Sequence, residues 1–109
     1  MSQWKTICSE SDLTPNTGVC ALVDGEQVAV FYCGKTKSLF AVSNYDPIGK
    51  AYVLSRGIMG SLGDVPVVAS PLYKQHFNLQ TGECLEEPEH TLKTYPIRNE
   101  AGEIQLQAA

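Results

Sequence analysis

The chain has 109 residues, a formal net charge of −4 and a sequence pI near 5.0. A chain of this length can bury a core of its own, so nothing obliges it to fold around a disulfide or a structural metal, and one domain over residues 1–109 is expected. The acidic balance and the scattered Lys and Arg exclude a nucleic-acid binder, which needs cations gathered against phosphate.

Taken in order, QWKTI predicts an opening strand, and SESDLTPNTG a connection with room for one helical turn. GVCALV and EQVAVFYC are apolar runs on either side of Asp24-Gly25, a two-residue hairpin signal. With the turn GKTK and the strand SLFAV, residues Gly18 to Val42 predict a β-meander. From Ser43 to Gly63 the apolar residues keep no steady period, and the glycines of GIMGSLG read as loop residues that need positive φ. DVPVVAS resumes as a strand whose Pro66 suits an edge or a bulge. QHFNLQTGECL alternates Phe77 and Leu79 against His76 and Asn78, turns at Thr81-Gly82 and returns. TLKTYPIRN and EIQLQ predict the last strands, with the turn at NEAG. Many short strands at hairpin spacing predict an all-β antiparallel sandwich or barrel without repeats, its two pieces of sheet separated by a loop-rich middle.

The N-terminal MSQWKTICSESD lacks the basic-then-apolar order of a signal peptide, and no window approaches the roughly 18 apolar residues of a membrane span. A cytoplasmic protein without a membrane partner is therefore expected. In that compartment Cys8, Cys20, Cys33 and Cys84 are expected as free thiols, with Cys20 and Cys33 serving as small core residues. No C-x-x-C is present, so zinc-ribbon and thioredoxin motifs are set aside.

Enzyme constellations are missing too. There is no G-x-S-x-G and no phosphate-binding glycine loop. His76 and His90 are the only histidines, and spacing alone does not bring Cys84 to either as a nucleophile pair. His76 reads as a partly exposed strand residue. Glu83, Glu86, Glu87 and Glu89, interrupted by Pro88, read as a solvated face.

Two Pro-led stretches remain, SNYDPIG and ASPLYKQHF. They resemble the two cluster-binding loops of a Rieske-type domain, which read C-x-H and C-P-x-H-G. In this sequence Asp46 and Ile48 stand at the first Cys and His positions, and Ser70 and Tyr73 at the second pair. Pro47, Pro71, Phe77, Thr81 and Gly82 keep the surrounding frame. The resemblance implies a Rieske-like fold in which residues 43–85 form the former cluster-binding part, empty of [2Fe–2S]. Packing and hydrogen bonds through Asp46, Ser70 and Tyr73 would then hold the loops. A different metal gathered by Asp46, Tyr73 and His76 is the weaker alternative, and it would make the chain a free-standing Rieske-like redox or metal-binding protein with altered ligands. A small molecule in the vacated cleft is a third reading.

From end to end, through TGVCAL, VLSRG, VASPLYKQHF and TGEC, the chain is similar to the small subunits of bacterial assimilatory NAD(P)H-dependent nitrite reductases. That resemblance implies a large partner subunit carrying FAD, siroheme and [4Fe–4S]. The complex reduces nitrite to ammonium with six electrons from reduced nicotinamide. It implies no cofactor, no metal and no activity for this chain alone, which would act by docking. Tyr45, Tyr52, Arg56 and Tyr73 lie in or beside the two loops and are the expected partner-binding residues, since Tyr and Arg anchor interfaces. The competing expectation is that they only pack the loops against each other.

Overall fold

A computed structural model describes residues 4–107. Among these residues eleven β-strands run in this order: β1 Trp4–Ser9, β2 Gly18–Val23, β3 Glu26–Tyr32, β4 Leu39–Ser43, β5 Tyr45–Asp46, β6 Ala51–Tyr52, β7 Ile58–Leu62, β8 Val65–Ala69, β9 His76–Asn78, β10 Ile97–Glu100 and β11 Glu103–Gln107. Short 3-10 turns occupy Glu10–Asp12 and Leu54–Arg56. The strands form three antiparallel three-stranded sheets, ordered β1-β11-β10, β2-β3-β4 and β7-β8-β9, with β5-β6 as a small two-stranded ribbon. The predicted all-β antiparallel fold and the meander are found, and the helical turn falls in the first connection. Gln3 of the predicted opening strand lies outside the described residues.

The middle sheet explains the run VAVF. Val28, Ala29, Val30 and Phe31 are all fully buried because β3 has core on both faces. Ala29 and Phe31 pack with Leu54, Val68, Phe77, Leu79, Cys84 and Leu92, whereas Val28 and Val30 pack with Ala41, Tyr95 and Leu106. Successive strand residues point to opposite faces, so one strand can serve two cores. The Asp24-Gly25 hairpin has both φ values positive, 50° and 82°, as a type I′ turn requires.

Three expectations need correction. GIMGSLG is not a loop: Ile58–Leu62 is strand β7, and of its glycines only Gly63, at the turn into β8, has positive φ. The sequence hides this strand because β7 is an edge whose residues are mostly exposed, so apolar alternation never develops. The segment TLKTYPIRN is regular strand only from Ile97. Before Pro96 it runs beside β4 through Ser43 N–H to Lys93 O (2.8 Å) and Tyr95 N–H to Ala41 O (2.9 Å). Finally, Cys20 is exposed and Cys33 half-buried, leaving Cys84 as the one buried thiol among the described residues. β2 is an edge strand, and Cys20 lies beside the polar Gln27 and Asn44. Pro66 lies near the start of β8, but β8 is the central strand of its sheet and pairs with β7 without a bulge. The proline is tolerated because β9 pairs only from Val67, and Pro66 O accepts from Leu79 N–H (2.9 Å).

The segment beside β4 is fastened by the Tyr95 hydroxyl, which donates to Glu26 Oε1 at 2.5 Å. Burial first, then this carboxylate, push the Tyr95 phenol well up. The Tyr95 and Lys93 hydrogen bonds hold the Glu26 carboxyl below its ordinary value. A depressed carboxyl contributes stability that is lost as pH falls through its folded value. A raised phenol contributes stability that is lost as pH climbs past the ordinary tyrosine range. Tyr95→Phe is therefore expected to melt below the wild type at neutral pH, with the gap in Tm closing toward both acid and alkali. A gap that stays constant from acid to alkali would show that the hydrogen bond is not the source.

Candidate functional site

The two Pro-led loops are built alike. In the first, Asp46 O accepts from Lys50 N–H (2.6 Å), and Asp46 Oδ1 accepts from Ile48 N–H (2.9 Å) and Gly49 N–H (3.0 Å). In the second, Ser70 O accepts from Lys74 N–H (3.0 Å), and Ser70 Oγ accepts from Leu72 N–H (3.2 Å). Each turn ends on a lysine in the left-handed region, Lys50 at φ 56° and Lys74 at φ 62°. A proline after the first residue presets the turn, and a short polar side chain there mimics a backbone acceptor. The pattern [D/S]-P-x-x-K thus recurs 24 residues apart, in DPIGK and SPLYK, within the two Pro-led stretches that the sequence singles out.

The two leading side chains meet. Ser70 Oγ donates to Asp46 Oδ2 at 2.5 Å, with Asp46 0 % and Ser70 1 % exposed. This hydrogen bond joins the two loops through the side chains that lead them. Leu72 adds a second contact, for a Cβ placed on Gly49 would lie 2.4 Å from Leu72 Cδ1. Gly49 therefore serves close approach of the loops, and its φ is not positive. Ile48 is half-buried against the core group of Phe31 and Phe77. Asn44, which the sequence reading passed over, fastens the first loop to the middle sheet. Buried at 2 % exposure, it accepts from Ser55 N–H (2.7 Å) and donates from Nδ2 to Gln27 Oε1 (3.1 Å). An Asn just after an apolar strand signals only a turn, so nothing in its neighbours marks it as a buried node.

Tyr73 does not share in holding the loops. It is 64 % exposed, and among the described residues it makes no side-chain hydrogen bond. Tyr52 is 57 % exposed, and the half-buried Tyr45 packs against it with ring centroids 5.0 Å apart. Arg56 is exposed at the end of its 3-10 turn. The expected face is thus three exposed residues, Tyr52, Arg56 and Tyr73, with Tyr45 as support.

In the alternative metal set, two of the three members already have hydrogen-bond partners. Asp46 is buried and committed to three hydrogen bonds, and the half-exposed His76 is tied to Glu86 by its ring Nδ1 (2.7 Å) and its backbone N–H (2.8 Å). Although burial opposes it, those two bonds hold the Glu86 carboxyl below its ordinary value. Glu86 and Glu87 are thus more than a solvated face, since Glu87 also accepts from Gln75 (3.2 Å). The return after Gly82 runs antiparallel to β9, pairing Phe77 with Cys84 and so bringing these carboxylates alongside. Cys84 and His76 are both drawn to Glu86, at 3.7 and 2.7 Å, which is no nucleophile–base pair. Glu87, Glu89 and His90 bring their ligand atoms within 4.8 Å on the following turn. A surface groove of about 620 Å³ is lined by residues of β1, β2 and their connections, none of them from the two loops.

The sheet order, with two matching loops beside a sheet of three short strands, defines a Rieske-like domain. Residues 3–107 match the Rieske-like [2Fe-2S] domain family. The nitrite reductase (NADH) small subunit of Salmonella typhimurium is 47% identical over 106 residues, covering 97% of this chain and 98% of the relative. A crystal structure from Mycobacterium tuberculosis, of a chain assigned as an NADH-dependent nitrite reductase small subunit, superposes with a TM-score of 0.95 at 40% identity and covers 100% of this chain and 97% of that one. A further relative is the Klebsiella oxytoca nitrite reductase [NAD(P)H] large subunit, 34% identical over 93% of this chain but only 10% of its own length. The chain belongs to the family of nitrite reductase small subunits, within the Rieske-like domains. No helix among the described residues is long and apolar enough to cross a membrane.

The family description names [2Fe–2S], and the residues present do not fit that group. A Rieske centre takes two thiolates on one iron and two imidazoles on the other. Here the four positions offer a carboxyl, an aliphatic chain, a hydroxyl and a phenol, and Ile48 has no donor atom. The carboxyl and hydroxyl are moreover spent on each other.

Proposed function

We propose that this chain is a non-catalytic subunit of a cytoplasmic NAD(P)H-dependent nitrite reductase. It carries neither cluster nor metal, and it docks through the tip formed by its two loops. The observation that carries this reading is the Asp46–Ser70 hydrogen bond, which turns a pair of ligand positions into a structural tie. Support for the partner comes from the Klebsiella relative, in which a similar stretch lies within a chain named as the large subunit itself. In this reading the FAD, siroheme and [4Fe–4S] of nitrite-to-ammonium reduction sit on this chain's large partner subunit. Residues 43–85 keep the frame of a cluster-binding part. A subunit with no redox group affects turnover by binding one conformation of its partner better than another. Tyr52, Arg56 and Tyr73, with Tyr45 behind Tyr52, are the anchors of the tip.

The test is gentle purification of the tagged chain from nitrate-grown cells, with iron and visible absorbance read on the separated subunits. Co-purification of a large siroheme–flavin protein with a colourless, iron-free small chain supports the reading. A small chain that comes away alone and brings iron with it overturns the reading in favour of a redox protein with altered ligands.

A further inference from the structure

The two loop segments of the tip carry a charge opposite to that of the molecule, with Glu87 standing at their edge against Gln75 (3.2 Å). The chain as a whole is at −4, yet between Ser43 and Leu62 and between Ser70 and Gln75 the charged residues are Lys50, Arg56, Lys74 and the fully buried Asp46. All three cations are exposed, and among the described residues none of them enters an ion pair. The two lysines hold equivalent places, each closing its turn on either side of the Asp46–Ser70 bond. Exposed apolar side chains gather in the same segments. Leu72 is 45 % exposed, Tyr73 64 %, Tyr52 57 % and Ile58 75 %, and Ile58 stands opposite Ala69 at the foot of the second loop.

We infer that the tip, with Lys50, Lys74 and Arg56 around Leu72 and Tyr73, fits a partner surface that is acidic with an apolar centre, and that this surface lies on the large subunit. The inference rests on the docking reading above and adds to it the chemistry of the receiving face. The carboxylates on the rest of this chain repel an acidic partner while the tip attracts it, so charge selects the orientation as well as the encounter. Leu72 and Tyr73 then supply the desolvated contact that slows dissociation.

The experiment measures association of the whole small chain with the purified large subunit as salt is raised, for the wild type and three variants. Lys50→Glu/Lys74→Glu is expected to weaken binding by roughly tenfold or more, chiefly through slower association, and to flatten the salt dependence. Leu72→Ala/Tyr73→Ala is expected to weaken it through faster dissociation. Lys35→Glu, an exposed lysine outside the tip, is expected to leave affinity within about twofold. If the apolar variant weakens binding while the charge reversal and salt do not, the acidic partner is ruled out and tip docking survives. If neither tip variant weakens binding, docking through the tip fails as well. If the wild type does not bind the large subunit and instead self-associates in a salt-sensitive way, the acidic face belongs to a second copy and both proposals fall.

Discussion

Gly82→Ala is expected to lower stability by about 3–4 kcal/mol, more than any other glycine-to-alanine change among Gly25, Gly60 and Gly82. Gly82 is buried at φ +84°, and a Cβ there would lie 2.1 Å from Leu92 O and 3.0 Å from Leu92 C. Those atoms are backbone, so no rotamer can relieve the contact. The left-handed conformation alone costs roughly 1–2 kcal/mol for an alanine. Separating the strands adds the loss of Leu92 N–H to Gly82 O (2.8 Å) and exposes a Leu92 that is now 3 % accessible. In Tm the fall should be about 12–16 °C, at roughly 4 °C per kcal/mol for a domain of this size. Gly25 shares the φ, +82°, but has nothing within 4 Å, so Gly25→Ala reads the backbone cost alone at about 1 kcal/mol. Gly60 has neither a positive φ nor a near neighbour, so Gly60→Ala should be neutral or stabilise by up to about 1 kcal/mol. Equal losses at positions 82 and 25 in thermal unfolding would mean that the Leu92 backbone yields freely.

That series also marks how much of the fold was legible. Asp24-Gly25 between apolar runs predicts a type I′ hairpin because only such residues tolerate two positive φ angles, and the hairpin is there. Gly60 was misread for the complementary reason. Glycine is permitted in a loop and in an exposed edge strand alike, and the residues around it supply no alternation. Legibility at the site divides in the same way. DPIGK and SPLYK announce two matching turns through local chemistry. That Asp46 and Ser70 face each other is a long-range fact. Polar residues in turns look solvent-exposed, and these two can be buried because each satisfies the other and the backbone N–H groups of its own turn. Tyr73 shows the converse, a large ring expected to hold the loops that points to solvent instead.

Asp46→Ala is expected to destabilise the protein by about 3 kcal/mol and to loosen both loops together. The substitution leaves Ile48 N–H, Gly49 N–H and Ser70 O–H without their acceptor in a site that water does not reach in the folded chain. Ser70→Ala removes less: Leu72 N–H loses its acceptor and Asp46 Oδ2 its donor, for about 1–2 kcal/mol. Because one hydrogen bond is common to both losses, the double variant should fall short of the sum by about 1 kcal/mol. Asp46→Asn offers a sharper comparison. One amide oxygen still serves Ile48 and Gly49, while the amide nitrogen donates to Ser70 Oγ in place of accepting from it. Most of the stability should therefore return. Amide exchange locates the effect: in Asp46→Ala, protection should drop at Ile48 and Gly49 in the first loop and also at Leu72 in the second. Strictly additive losses, or exchange that rises in the first loop only, would separate the two loops mechanically. The tip could not then act as one preorganised surface, and its lysines and apolar side chains would have to be ordered on binding at an entropic cost to affinity.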